Sequence, residues 1–268
     1  AIEHLTATLT DLSAAHGVAM GEGGGMRVLD AGCGTGNYLV PLHGMLGAGA
    51  VSGLEASSGM LAKAQAKFEG DAVDLVQGSI MAMPHADDTF HAVVINQVLH
   101  HLTCGERAAM GGVEWDAIDG ALAEIQRVLK PGGAFVVNTQ DPSQHVDGFW
   151  WSVICPDAAA TLASRFPTVS AFIERMESQH GFERAVTHLP EEPLMALEVY
   201  QDVSGPFRES WRNGDSTWSL ATPLELEHGL AEHFARVEAG DAERFLAERE
   251  ELRARVGQTT TVTAFTSA

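Results

Sequence analysis

The chain has 268 residues, with 36 Asp and Glu against 16 Lys and Arg and a formal net charge of −20. So large a negative charge repels a polyanion and no basic patch offsets it, so we expect no nucleic-acid partner. The apolar runs end far short of the roughly 18 residues that a membrane helix needs, so we expect no membrane contact. The three cysteines form no disulfide framework, which favours a reducing, cytoplasmic compartment. The composition leaves the oligomeric state open.

The N-terminal segment, residues 1–25, carries the pattern of a helix. Its apolar residues recur at the spacing of one helix face, at Ile2, Leu5, Leu9 and Leu12. Glycines from Gly21 onward end the pattern. We predict an N-terminal helix that covers the site formed by the residues that follow.

A glycine-rich turn follows the first predicted strand, 26–31, which contains Asp30. Three glycines stand at alternate positions before a helix: Gly32, Gly34 and Gly36. A helix start offers unpaired N–H groups, and glycine lets the backbone approach a ligand closely. A dinucleotide fingerprint requires Gly or Ala at position 37, where this chain has Asn37, and a phosphate-binding P-loop requires a lysine that is missing here. The turn therefore predicts a nucleotide-type cofactor of another class.

A carboxylate closes the second predicted strand, 50–54. Glu55 follows the glycines by about 20 residues, where nucleotide-binding folds keep an acceptor for ribose hydroxyls. Ala56 comes next, and Met60 lies on the apolar face of a helical pattern over 57–68.

Further blocks follow in order at 77–84, 88–96, 97–102 and 128–133. Together with the glycine turn and Glu55, they make the stretch from Val28 to Asn138 similar to class I S-adenosylmethionine-dependent methyltransferases. The resemblance is to the small-molecule enzymes related to those of ubiquinone biosynthesis.

The resemblance implies an α/β fold, a Rossmann-like, doubly wound and mostly parallel seven-stranded sheet. It also implies S-adenosyl-L-methionine as cofactor, released as S-adenosyl-L-homocysteine, with a small-molecule acceptor and no metal. The residues that the resemblance assigns to the cofactor are Asp30, Gly32, Gly34, Gly36, Glu55, Ala56, Met60, Ser79, Ile80 and Asn96.

Two positions depart from the family pattern. Ser79 stands where the family commonly has an acidic acceptor for the adenine amino group, although a hydroxyl can accept the same bond more weakly. His91 replaces an acidic residue before the fourth strand. We interpret it as a surface residue without a chemical role.

The order of elements predicts one wound domain. Strand-like runs at 26–31, 50–54, 73–76, 90–96 and 133–139 alternate with helical patterns such as 113–129, which is typical of a parallel sheet. A helix over 172–180, a strand over 181–186 and a final antiparallel strand over 258–265 follow. We therefore assign 26–189 and 257–268 to the core, and 190–256, too long for an unstructured loop, to a helical lid over the acceptor inserted before the last strand.

His100 is the candidate base because it follows the fourth strand, whose carboxyl end faces the cofactor crevice in such sheets. Asp141, just past the fifth strand, is the candidate to orient the imidazole. The alternative is that His100 caps a helix or packs, and that it only positions the acceptor.

The sequence gives little support for a metal site or for a mechanism that depends on several thiols. His228 and His233 are five residues apart, so on a helix they do not share a face and cannot form the paired-histidine geometry of a metal site. An arsenic methyltransferase needs several thiols at the acceptor, and only Cys104 and Cys155 remain outside the glycine turn.

Four tryptophans lie where the family builds its acceptor pocket, and tryptophan faces attract cations. Arg208, one helical turn from Arg212, could receive a carboxylate. The predicted acceptor contacts are His101, Trp150, Trp151, Arg208, Trp211 and Trp218. The alternatives are lid packing for the tryptophans and pairing with the chain's own acids for the arginines.

The sequence therefore predicts a methyltransferase of a small molecule, with a leaning to a sulfur or nitrogen acceptor. One alternative is an O-methyltransferase of a sugar or natural product that uses His100 and Asp141. Another is a regulatory protein that binds S-adenosylmethionine and has lost transfer activity.

Overall fold

The computed structural model describes residues 2–21, 23, 25–47, 49–68, 73–102, 113 and 115–268. Its centre is a seven-stranded sheet of order β3-β2-β1-β4-β5-β7-β6. The strands are β1 (Val28–Ala31), β2 (Val51–Glu55), β3 (Asp74–Gln77), β4 (Phe90–Asn96), β5 (Leu129–Thr139), β6 (Phe182–His188) and β7 (Thr260–Thr266). The first five pair in parallel, and β7 runs antiparallel to both β5 and β6. The predicted mostly parallel, doubly wound sheet is confirmed.

The α-helices are α1 (Ile2–His16), α2 (Leu39–Leu46), α3 (Ser58–Lys67), α4 (Leu99–Leu102), α5 (Trp115–Val128), α6 (Pro142–Asp147), α7 (Pro156–Ala163), α8 (Val169–Gln179), α9 (Leu197–Tyr200), α10 (Glu209–Arg212), α11 (Thr217–Leu220), α12 (Pro223–Glu238) and α13 (Ala242–Val256). Two short 3₁₀ helices lie at Trp150–Val153 and Gly205–Phe207. The seven strands match the predicted ones except at their ends. For example, β5 begins at Leu129 and not at 133.

The central strands are buried on both faces, as parallel strands covered by helices must be. On one face, α1 and α2 pack Leu5, Leu9 and Leu39 against β1 and β4. On the other, α5 and α8 pack Ile118 and Phe172 against the same sheet. Burial of these apolar side chains holds the carboxyl ends of β1, β2 and β4 in fixed positions.

His91, which the sequence places at the surface, is buried in β4. Its Nδ1 accepts a hydrogen bond from the Arg27 backbone N–H at 3.1 Å. Burial, with the nearby His16 second, lowers the pKa of His91 to about 4, so the ring is neutral at neutral pH. The prediction of a surface residue is wrong. The neutral imidazole can be buried because its Nδ1 accepts a backbone hydrogen bond.

The segment 190–256 is helical from α9 to α13. Its side chains form a third apolar core with Phe149, Ile154 and Ala158 from the region after β5. The segment is therefore a packed subdomain joined to the sheet through α6 and α7.

Candidate functional site

A cavity of about 570 Å³ lies at the carboxyl ends of β1, β2 and β4. This size is typical of a small-molecule or cofactor site, for which the usual range is roughly 300 to 1,000 Å³. Nine of the ten predicted cofactor residues line it: Asp30, Gly32, Gly34, Glu55, Ala56, Met60, Ser79, Ile80 and Asn96. The tenth, Gly36, lies behind the wall, where an added Cβ would stand 3.1 Å from the Ala64 Cβ.

The glycine turn has a backbone that only glycine adopts without strain at its first position. Gly32 has φ +85°, and a Cβ built on it would lie 2.6 Å from Cγ2 of Val98. The turn therefore brings bare backbone to the cavity wall while β1 and the segment after β4 stay in close contact.

Glu55 is fixed by two backbone donors. Its Oε2 accepts from the Gly34 N–H at 2.9 Å, and its Oε1 accepts from the Ser57 N–H at 2.7 Å. The Ser57 hydroxyl in turn caps α3 by accepting from the Met60 N–H. A carboxylate has about four acceptor positions. Glu55 therefore joins the two turns and keeps acceptor capacity toward the cavity.

Asp30 is 1% exposed, and neither of its carboxylate oxygens finds a hydrogen-bond partner among the described residues. Burial, with the charge of Glu55 second, raises the pKa of Asp30 to about 7. A buried carboxylate without a partner is unfavourable, since it has lost its hydration without a compensating bond. Asp30 is thus poised to receive a cation or a hydrogen-bond donor from the cavity.

Ser79, Ile80 and Met60 also line the cavity. The Ser79 hydroxyl accepts from the Met81 N–H at 3.2 Å and keeps a second lone pair. Met60 is 48% exposed, so its thioether is free to cover a flat ring that enters the cavity.

Gln97 is a wall residue that the sequence analysis missed. It has φ +56°, a left-handed conformation that is unusual for a residue other than glycine. Its Nε2 donates to Asn138 Oδ1 at 2.8 Å, and its N–H donates to the Asn138 carbonyl at 3.0 Å. These bonds to β5 hold the strained turn. Only its place directly after β4 could have signalled it.

The two histidines of α4 have different surroundings. His101 is exposed and lines the cavity, whereas His100 does not line it. The His100 ring stacks on Phe166 at a centroid distance of 5.1 Å. Burial, followed by the charges of His101, His145 and Arg165, lowers the pKa of His100 to about 3. The structure therefore brings His101, and not the predicted base His100, to the site.

Asp141 is the N-cap of α6 and does not contact His100. Its Oδ1 accepts from the N–H and the hydroxyl of Ser143, and its Oδ2 accepts from the Val169 N–H. Both oxygens are used to join α6 to α8. The described contacts of Asp141 are thus structural, and its expected role in orienting His100 stays a prediction.

None of the four candidate tryptophans lines the cavity at the glycine turn. They pack with one another in the third core: Trp150, Trp151, Trp211 and Trp218. Their rings contact one another, as expected for packing, and a role in binding the acceptor stays a prediction. Arg208 forms an ion pair with Asp202, the alternative left open by the sequence.

The described residues contain no cluster of three His, Cys, Asp or Glu side chains that could hold a metal ion. His228 pairs with Glu232, and His233 Nε2 lies 2.7 Å from the Val203 carbonyl oxygen. Cys104 lies outside the described residues. Within the described part of the chain, no helix has both the length and the apolar character needed to cross a bilayer.

Comparison with known proteins places this geometry in a family. Residues 29–137 match the methyltransferase domain family. The predicted resemblance to the class I S-adenosylmethionine-dependent methyltransferases is thus confirmed. The matched region runs from β1 to β5 and includes every described residue that lines the cavity.

Two curated relatives cover the same region. The chain is 32% identical over 127 residues to a ubiquinone/menaquinone biosynthesis C-methyltransferase UbiE of Desulfotalea psychrophila, over 47% of this chain and 46% of that protein. It is 35% identical over 129 residues to a demethylmenaquinone methyltransferase of Lactococcus lactis, over 46% of each chain. The chain thus spans about half the length of the curated relatives it matches.

A solved structure extends the likeness to the whole fold. A putative methyltransferase from an antibiotic biosynthesis pathway of Anabaena variabilis has a TM-score of 0.69 and 19% identity, over 96% of this chain and 97% of that one. A [4+2]-cyclase, SpnF, has a TM-score of 0.50 and 20% identity. At such identities the likeness concerns the fold alone.

Proposed function

We propose that the chain is an S-adenosylmethionine-dependent methyltransferase acting on a small molecule with a nitrogen or sulfur acceptor atom. The observation that carries the proposal is the Asp30 carboxylate, which is buried in the cavity wall beside the glycine turn and has no hydrogen-bond partner among the described residues. A phosphate group would be repelled by this carboxylate, and a neutral ligand group would leave its charge uncompensated. A ligand with a positively charged end would neutralise it.

The residues present fit S-adenosylmethionine group by group. Asp30 would receive the ammonium of the amino-acid part, and Glu55 would accept bonds from the ribose hydroxyls with the oxygen capacity left by its two backbone donors. Ile80 and Met60 would enclose the adenine ring, and Ser79 would accept from its amino group. The bare backbone at Gly32 would let the ligand approach β1 closely.

When bound, S-adenosylmethionine supplies an electrophilic methyl group on a positively charged sulfur. The protein then has to align the acceptor in line with that methyl group and exclude water. Gln97, held by Asn138, fixes the backbone where the acceptor side of the cavity begins. Asn96 and His101 present polar groups at the same end.

The position of His100 favours an acceptor atom that is nucleophilic in its neutral form, such as an amine nitrogen or a sulfur, over a hydroxyl oxygen. With its ring against Phe166 and its pKa lowered to about 3, His100 is poorly suited to remove a proton from a hydroxyl group. A sulfur or amine nitrogen nucleophile depends less on such a base. The O-methyltransferase alternative would have to use His101, which lies on the cavity wall.

The test is calorimetric titration of the full chain with S-adenosylmethionine, S-adenosylhomocysteine and NAD. We expect both S-adenosyl compounds to bind and NAD to bind far more weakly, because the cavity offers the carboxylates of Asp30 and Glu55 but no Lys or Arg for a pyrophosphate among its described lining residues. Tighter binding of NAD, or no binding of either S-adenosyl compound, would overturn the proposal.

A further inference from the structure

A second cavity, of about 690 Å³, adjoins the cavity at the glycine turn. Tyr38 and Asn96 line both, so the two cavities meet at these side chains. A ligand in the second cavity would therefore face one end of a ligand in the first.

The second cavity lies at the same edge of the sheet but over different strands. Asn138 near the end of β5, His188 at the end of β6 and Thr259 just before β7 line it. The Asn138 amide is fixed, since its Nδ2 donates to the hydroxyls of Thr259 and Thr261 at 3.2 and 3.1 Å. The polar side of the cavity is thus rigid and built from the core of the protein.

The remaining wall comes from α1 and the start of the 190–256 segment. Pro190, Pro193 and Leu194 give it an apolar part. The backbone here is anchored, because the Leu194 N–H donates to Gln258 Oε1 at 2.7 Å. The apolar part of a ligand can therefore pack against these side chains.

The formally charged residues on the wall are all acidic, and His188 is a further titratable residue there. Glu3, Glu191 and Glu192 line the cavity, and none of its described lining residues is Lys or Arg. None of these three carboxylates forms an ion pair within the described ranges. Arg253 lies near Glu192, but its guanidinium is held by Glu250 and donates to the Glu191 carbonyl oxygen at 2.7 Å.

We infer that the second cavity binds the methyl acceptor and that the acceptor is a primary or secondary amine, bound as an ammonium with an apolar body. The inference rests on the proposed function, since it assigns the acceptor of that same site. Three carboxylates that form no ion pair with the described residues attract a cation and repel an anion, and the cavity walls focus this field. The apolar wall accounts for the body of the molecule, and the shared Asn96 and Tyr38 lie where the nitrogen would meet the cofactor cavity.

The chemistry balances with the reactants that the proposed function supplies. The bound ammonium first loses one proton to bulk water at the open side of the cavity. The nitrogen lone pair then forms the N–CH₃ bond while the S–CH₃ bond breaks, and the bonding electrons stay on sulfur. The product is a methylated ammonium with the charge of the bound substrate, so the same carboxylates hold it until release.

The test compares amines with neutral alcohols of the same shape. The full chain is saturated with S-adenosylhomocysteine and titrated with three pairs: 2-phenylethylamine and 2-phenylethanol, cyclohexylmethylamine and cyclohexylmethanol, and butylamine and butanol. We expect at least one amine to bind about tenfold more tightly than its alcohol, through charge attraction in a partly enclosed site. Equal binding within all three pairs would overturn the inference.

A double variant identifies the carboxylates responsible. Glu191→Gln with Glu192→Gln should weaken amine binding at least fivefold and leave alcohol binding unchanged, since both side chains are exposed and the change removes charge alone. The matched control, Glu198→Gln with Glu251→Gln, removes the same charge at exposed positions outside the cavity and should change neither. Equal effects of the two double variants would contradict a local site.

The two proposals fail differently. If S-adenosylhomocysteine does not bind, the proposed function is wrong. If it binds but the amines show no preference, only the nature of the acceptor is wrong.

Discussion

The carboxylates of Asp30 and Glu55 face the same cavity, yet only Glu55 has hydrogen-bond donors among the described residues. Asp30 lies near the carboxyl end of β1, and Glu55 lies at the carboxyl end of the adjacent parallel strand β2. Because Glu55 is held in place, its charge adds to burial in raising the pKa of Asp30. The pair therefore stores an unfavourable charge that a cationic ligand would relieve.

Replacement of Asp30 by Asn should change how stability depends on pH. The folded carboxyl has a pKa of about 7 against its ordinary value of 3.8, so between these pH values the folded state holds a proton that the unfolded state has lost. The wild type should therefore lose stability as pH rises from 5.5 to 7, by about 2 kcal/mol relative to Asp30→Asn. Denaturant unfolding without ligand, at several pH values, measures this difference. Parallel pH curves for the two proteins would contradict the raised pKa.

Replacement of Glu55 by Ala should weaken S-adenosylmethionine binding by roughly 2 to 3 kcal/mol, through loss of charge-assisted bonds. Calorimetry measures the affinity. Ser57→Ala is the control, because it removes the cap of α3 in the same turn and leaves the carboxylate. If Ser57→Ala weakens binding as much as Glu55→Ala, the effect comes from distortion of the turn and not from the carboxylate.

The histidines of α4 should contribute unequally to turnover. His100→Phe keeps a ring against Phe166, so we expect a kcat within about threefold of wild type and little change in stability. His101→Gln alters the cavity wall and should lower kcat/KM by about tenfold or more. Steady-state kinetics with the best amine of the panel measures both. The reverse order of effects would restore His100 as the important residue.

Trp211→Ala should lower stability and leave cofactor affinity intact. Trp211 is 8% exposed and packs among three other tryptophans, so its loss should cost about 3 to 5 kcal/mol. Gly205→Ala should also destabilise, because a Cβ there would lie 2.5 Å from the Trp211 ring. Leu224→Ala, at a 77% exposed position, is the control with little expected change. Thermal unfolding and calorimetry together test this, and a KM effect for Trp211→Ala without lost stability would assign it to the acceptor.

Sequence reasoning predicted the sheet because its signals are local. Buried strands such as β1 and β4 read as apolar runs, and the glycine spacing determines a turn whose backbone conformation is narrow. Glu55 could be placed in the cavity wall for the same reason, since the end of a parallel strand has a fixed place in this fold.

The rest depends on long-range partners that a pattern does not encode. His100 and His101 are neighbours in sequence, and side chains about 100° apart on a helix face different surroundings, so the direction of α4 decides between them. Whether Trp150 lines a pocket or packs in a core depends on α10 and α13, which contribute to the same core. Both helices are far from Trp150 in sequence, so no local pattern reveals the contact. Likewise, Asp141 has a carboxylate that could orient a histidine, but its Oδ2 accepts a hydrogen bond from the Val169 N–H of α8.

The pH dependence of S-adenosylmethionine affinity tests the central claim most directly. If the Asp30 carboxylate receives the ammonium, wild-type affinity should fall roughly tenfold as pH falls from 7 to below 6, because the protonated carboxyl no longer attracts a cation. Calorimetry on Asp30→Asn under the same conditions gives the background from other titrating wall residues such as His101. The account predicts a steep curve for wild type and weaker, nearly pH-independent binding for Asp30→Asn. Equal affinities and equal slopes for the two proteins would contradict it.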